Sequence, residues 1–184
     1  MRLFGRLGSP PVPPRSSRRK PAGGADQVRD TGLRLLGRRD HSRLELRRKL
    51  SRRGHDDDVV RAVLDRFREA GYLDDAKFAR SVVRRRASAR GPRAIASELA
   101  ALGIDRAAAD AALAEFGPDE QLRSAIRLAE RVYARRDSDQ PLAYRDLLDL
   151  VGPKLLRRGF PETIVRQACR TVLDNPDQAP PTAI

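Results

Sequence analysis

Apolar residues recur along the chain at helical spacing, and polar punctuation separates the runs. Ser42 and Glu45 stand in capping-box relation, Leu46 and Leu50 lie four apart, and Gly54 follows, which predicts a short helix with a glycine stop. Asp56, Asp57 and Asp58 then supply an N-cap and a negative first turn for a second helix. It carries Val59, Val60, Val63, Leu64 and Phe67 and stops at Gly71. Asp74 or Asp75 caps a third, with Phe78, Ala79, Val82 and Val83 on one stripe, and Gly91-Pro92 is expected to end it.

The phrase recurs. Leu46, Leu50, Gly54, Val59, Val63 and Phe67 find partners 49 residues later in Ile95, Leu99, Gly103, Ala108, Ala112 and Phe116. A further shift of 56 gives Val151, Leu155, Gly159, Ile164, Ala168 and Val172. A helix, a glycine turn and a second helix thus appear three times, each preceded by another helix expected near 27–38, 75–89 and 119–136. The fold class is all-α: an elongated, curved array of three tandem three-helix repeats, whose neighbours cover apolar faces that one unit is too small to bury. The expected units are 27–73, 74–117 and 118–173. A Pro- and Arg-rich arm over 1–26 and a Pro-containing tail over 174–184 carry little apolar content and read as disordered. Gly152-Pro153 falls inside the second helix of the third repeat, where proline should kink or split it.

Composition narrows the function. The 184 residues hold 38 Lys and Arg against 25 Asp and Glu, a formal charge of +13, which points to a polyanionic partner. The one cysteine excludes an internal disulfide and fits a reducing, cytoplasmic setting. No run approaches the roughly 18 apolar residues of a membrane span, and no signal peptide is expected. Two histidines, His41 and His55, with Cys169 match no common zinc spacing, so no metal is assigned. No phosphate loop, nucleophile elbow or paired-histidine motif occurs, so neither enzyme nor cofactor is expected. Cys169 reads as a small core residue, His41 and His55 as neighbours of helix caps, and Asp74-Asp75 as a cap rather than a metal pair.

The charge is unevenly spread. Residues 34–53 hold nine basic and two acidic residues, and 77–93 hold seven basic and none acidic. Residues 94–121 reverse the balance, with Arg106 against six acids. Arg43 with Arg47, Arg48 with Arg52, and Arg80 with Arg84 fall four apart, so each pair shares a helix face and could follow phosphates as a ridge. Arg84, Arg85 and Arg86 are about 100° apart in turn, so the triplet wraps its helix and part of it must meet something else. A helix-turn-helix would read a major groove with its second helix, but Asp56, Asp57 and Asp58 lead the first copy and the second copy is Ala-rich. With five Phe, three Tyr and no Trp, stacking platforms are scarce, so any affinity for DNA should be electrostatic.

Leu33 to Leu36, Ser42, Glu45-Leu46, Leu50 and Gly54 lead into Gly71-Tyr72-Leu73-Asp74-Asp75 and Phe78-Ala79, and then into Arg86, Gly91, Ile95, Glu98-Leu99 and Gly103-Ile104. With Leu155, Arg158, Gly159 and Phe160 in the third repeat, this pattern resembles the RecX family of regulatory proteins over about residues 27 to 173. The resemblance implies three three-helix repeats that bind RecA, lie in the groove of the RecA filament on single-stranded DNA, and restrain its ATP hydrolysis and strand exchange, hence a regulator of DNA repair. The family has no single catalytic residue to transfer, and a monomer with weak direct DNA binding is expected. The basic positions nominated as contacts are Arg43, Arg47, Arg48, Arg52, Arg80, Arg84, Arg85, Arg157 and Arg158, with the acidic second repeat facing basic protein surface. The rival reading is a nonspecific basic protein that coats nucleic acid.

Overall fold

The structure, a computed structural model, describes residues 24–136, 140 and 142–174. The expected arm up to residue 23 and the tail from residue 175 lie outside the described residues. Among the described residues there are nine α-helices and no strand. They are α1 (Ala25–Leu36), α2 (Arg43–Arg52), α3 (Asp57–Glu69), α4 (Asp75–Arg86), α5 (Pro92–Ala101), α6 (Arg106–Ala114), α7 (Pro118–Tyr133), α8 (Tyr144–Arg157) and α9 (Glu162–Asp174).

The caps explain the boundaries. Ser42 Oγ accepts from the Glu45 amide, Asp56 from the Asp58 and Val59 amides, Asp74 from Lys77 and Asp105 from Ala108, so each side chain satisfies a donor the helix leaves open. Three boundaries differ from the sequence reading. α1 begins at Ala25, inside the expected arm, because Gly24 serves as its N-cap and Asp26 places an acid in the first turn. α4 ends at Arg86, and Gly91-Pro92 does not stop it: Gly91 is the N-cap of α5 and Pro92 its first residue, where a missing N–H costs nothing. α8 is not split at Pro153 but runs as one helix from Tyr144 to Arg157. The residue before a proline is normally driven from helical backbone by its own Cβ, and here that residue is Gly152.

The helices group in threes around separate cores. Val28, Leu46, Leu50, Val63 and Phe67 belong to the first. Phe78, Ile95, Leu99, Ala112 and Phe116 belong to the second, and Ala125, Val151, Leu155, Ala168 and Val172 to the third. The repeat positions therefore carry the packing. Gly54, Gly103 and Gly159 sit at the turn between second and third helix of each unit with φ of 84°, 78° and 86°, a left-handed backbone that a Cβ would strain.

Units meet through thin junctions that themselves repeat. Ser42 Oγ donates to the Leu102 carbonyl at 2.6 Å, joining the start of α2 to the turn after α5. One repeat on, the equivalent Gly91 amide donates to the Arg158 carbonyl at 2.8 Å, and Arg93 N to the Gly159 carbonyl at 3.2 Å. The second unit thus stands between the first and the third in a linear array. The Arg43 amide adds a 2.9 Å bond to Asp75 Oδ1, and burial pushes the Asp75 carboxyl up despite that bond.

Candidate functional site

Most nominated arginines of the first unit are held by the protein's own groups. Arg47 grips Asp57 through two bonds, Nε to Oδ1 at 3.1 Å and one terminal nitrogen to Oδ2 at 2.6 Å, and Arg43 reaches Asp65 at 2.8 Å. The Arg47 guanidinium holds the Asp57 carboxyl below its ordinary range. The Arg43–Arg47 ridge therefore turns toward α3. Arg48 leans on the Ala101 carbonyl at 3.4 Å across the first junction. Arg52 is exposed and makes no side-chain bond or ion pair.

Beside them lies a tighter network. Glu45 receives Arg39, lies 2.9 Å from the buried His41 Nδ1 and 3.3 Å from Lys49. Its partial burial works against ionisation, but the Arg39 hydrogen bonds and the nearby His41 and Lys49 prevail and bring its pKa from 4.5 down to about 2. His41 and His55 are both buried and immediately precede the caps of α2 and α3.

The acidic stretch of the second unit is spent largely inside the unit. Glu98 takes Arg86 at 2.8 and 3.0 Å and Arg90 at 3.2 Å, Glu115 lies 3.9 Å from Arg80, and Asp105 caps α6. Of the arginine triplet, Arg86 is consumed by Glu98, Arg85 donates to Ser81 Oγ at 2.6 Å, and Arg84 has no partner.

The third unit is different. A cleft of about 480 Å³ opens between the ends of α7 and α8, with Leu128, Arg131, Val132 and Arg135 on one side. Lys154, Leu155, Arg157 and Arg158 form the other. Among the described residues no carboxylate lines it. Arg135, Lys154 and Arg157 have no hydrogen-bond or ion-pair partner, and Arg131 spends only Nε, on the Arg127 carbonyl. Arg158 instead reaches the Ala89 carbonyl at 3.1 Å and ties the second junction. A second, shallower basin across that junction is lined by Arg90, Arg93, Ser97, Glu98 and Arg157. Of the nominated residues, the structure brings together only Arg157 and Arg158 at a concave site. It adds Arg131, Arg135 and Lys154, which linear charge density overlooks because about twenty residues separate the two strings. A helical register exposes half of the set: Leu128, Arg131, Val132 and Arg135 follow the i, i+3, i+4, i+7 rule of a single face.

Cys169 is fully buried in the third core, where desolvation raises its thiol pKa. Among the described residues no helix is long and apolar enough to cross a membrane, and no three His, Cys, Asp or Glu side chains converge as a metal site.

Two family models match the chain, one described as RecX, first three-helix domain, over residues 29–67 and one as RecX, second three-helix domain, over 74–113. A protein named Regulatory protein RecX from Xanthomonas axonopodis pv. citri (strain 306) is 43% identical over 146 residues, covering 78% of this chain and 86% of its own. One of the same name from Halorhodospira halophila (strain DSM 244 / SL1) is 37% identical over 161 residues, covering 86% and 97%. The crystal structure of RecX from Lactobacillus salivarius shares the fold, with a TM-score of 0.72 at 24% identity over 82% of this chain and 96% of that one.

Proposed function

The chain belongs to the RecX family of regulatory proteins, and from that premise we propose that it binds RecA and the RecA filament on single-stranded DNA and restrains the filament's ATP hydrolysis and strand exchange. The observation that carries the reading is the linear array: three separately cored units joined by a few hydrogen bonds, a shape suited to lying along several successive subunits of a helical polymer. Its action is binding rather than catalysis, and its setting is the cytoplasm, where such a filament forms. In the second unit Glu98 and Glu115 face Arg80, Arg86 and Arg90 and Asp105 caps α6, so attraction falls to cations without partners, Arg52, Arg84 and Arg157 among them.

The net charge of +13 favours a second reading, a basic protein that coats nucleic acid without RecA. One titration separates them. The DNA-dependent ATPase rate of preformed RecA filaments is followed while this protein is added far below the RecA concentration, with single-stranded DNA in excess. A falling rate is the expected result, because so little protein cannot occupy the DNA. An unchanged rate with binding to bare DNA retained would sink the RecA reading and leave the coating protein.

A further inference from the structure

The cations around the α7–α8 cleft repel one another, and among the described residues no carboxylate lines the cleft to offset them. The C-terminal ends of α7 and α8 favour basic residues in their last turns, which accounts in part for Arg131, Lys154 and Arg157. It does not account for their convergence with Arg135, beyond the end of α7, on one concavity. Nor does it account for the continuation, since Arg157 lines both this cleft and the basin holding Arg90 and Arg93. Glu98 is the one acid in that basin, and Arg86 and Arg90 already hold it. The result is a path of cations from Arg135 to Arg93 that crosses the second junction.

We propose that this path is a direct binding track for the phosphodiester backbone of single-stranded nucleic acid. A single small anion would leave most of the path unmet, whereas a linear polyanion places successive charges along it. The half-buried Val132 and the edges of Leu128 and Leu155 give the cleft an apolar floor against which an unpaired base can rest. Among the described residues no aromatic side chain lines either basin, so binding is tolerant of sequence and strongly dependent on salt. The track is independent of the RecA reading, because it operates on bare strand.

The test is fluorescence anisotropy of a labelled oligothymidylate titrated with the full chain at several salt concentrations and without RecA. The double variant Arg131→Gln/Arg157→Gln touches neither junction bond. It should reduce the slope of log affinity against log salt by about 1.4, at about 0.7 per lost contact on a single strand, and weaken binding on the order of tenfold near 0.1 M salt. The control Arg47→Gln/Arg61→Gln removes the same charge from two arginines already facing Asp57 and should change affinity less than about twofold. Equal losses in the two variants would mean that affinity follows net charge alone and would overturn the track. So would unchanged binding by the first variant, or tighter binding to a polyglutamate of matched charge that the same variant abolishes, which would make the cleft a protein-docking surface. Circular dichroism of each variant confirms that the helices persist.

Discussion

The first and third units share one helical plan but treat equivalent cations in different ways. Lys49 and Lys154 occupy the same place in their repeats, yet Lys49 lies 3.3 Å from Glu45 while Lys154 has no partner, because Leu150 stands where the first unit has Glu45. Asp65, which receives Arg43, is replaced in the third unit by Arg170. Arg52 and Arg157 are likewise equivalent and both unpartnered, but only Arg157 stands at a cleft with other cations. A basic run in a sequence is thus not a binding surface by itself. What decides is whether the helix packed beside it presents acids, and in the first unit α3 does.

The largest effect should come from breaking the junction that brings the two basins together. A Cβ at Gly91 would lie 2.4 Å from the backbone of Gly159 and Phe160, and no rotamer change can relieve backbone against backbone. Gly91→Ala should therefore cost about 3 kcal/mol of stability, at the upper end of overpacking costs, read as a lower midpoint in urea. Gly117→Ala, with nothing within 4 Å of the added atom, is the matched control. In the surviving folded fraction the second and third units separate, so affinity for single strand should fall even though no cation has been removed. A fold that accepts Gly91→Ala without loss would show that the close approach of Gly91 to Gly159 does not hold the second and third units together.

The repeat was legible because each copy sets its own punctuation. A cap, an apolar pair four apart and a left-handed glycine are local requirements, and Gly54, Gly103 and Gly159 declare them without help from distant residues. The candidate site was only half legible. Arg157 and Arg158 stood out as neighbours in the chain, whereas Arg131 and Arg135 join them only when α7 packs beside α8. Charge density along the chain also overrated Arg43 and Arg47, since the acids that hold them lie ten and more residues away on another helix. Gly91-Pro92 misled for a related reason: its role as the start of α5 depends on the Gly159 turn, which the sequence places 68 residues on.

A pH titration sharpens the same comparison with an intermediate effect. Glu45 has its pKa lowered from 4.5 to about 2, so its contribution to stability is fully present above about pH 4.5 and is lost as pH falls toward 2. A shift of that size corresponds to about 3 kcal/mol, less whatever solvent screening removes from the one side of the group that remains open. Hydrogen exchange resolved by residue, taken from pH 5 down to 2.5, should show the amides of α1 and α2 losing protection before those of α7 to α9. Glu45→Gln should abolish that difference. Uniform loss in all three units would mean that the network around Glu45 does not set the acid limit of the first unit.

The smallest effect is the most direct check on the contrast between engaged and free arginines. Removing Arg47 frees Asp57 on an exposed surface, so Arg47→Gln should lower Tm slightly and leave single-strand affinity nearly unchanged. Removing Arg157 breaks no internal bond, so Arg157→Gln should leave Tm unchanged and weaken the same affinity severalfold. Thermal melting and anisotropy on the two single variants give a pair of opposed outcomes, a stability change without a binding change and the reverse. If both variants moved both quantities together, the arginines of the two units would be interchangeable. The lack of a carboxylate among the described residues lining the α7–α8 cleft would then have no consequence for what the protein binds.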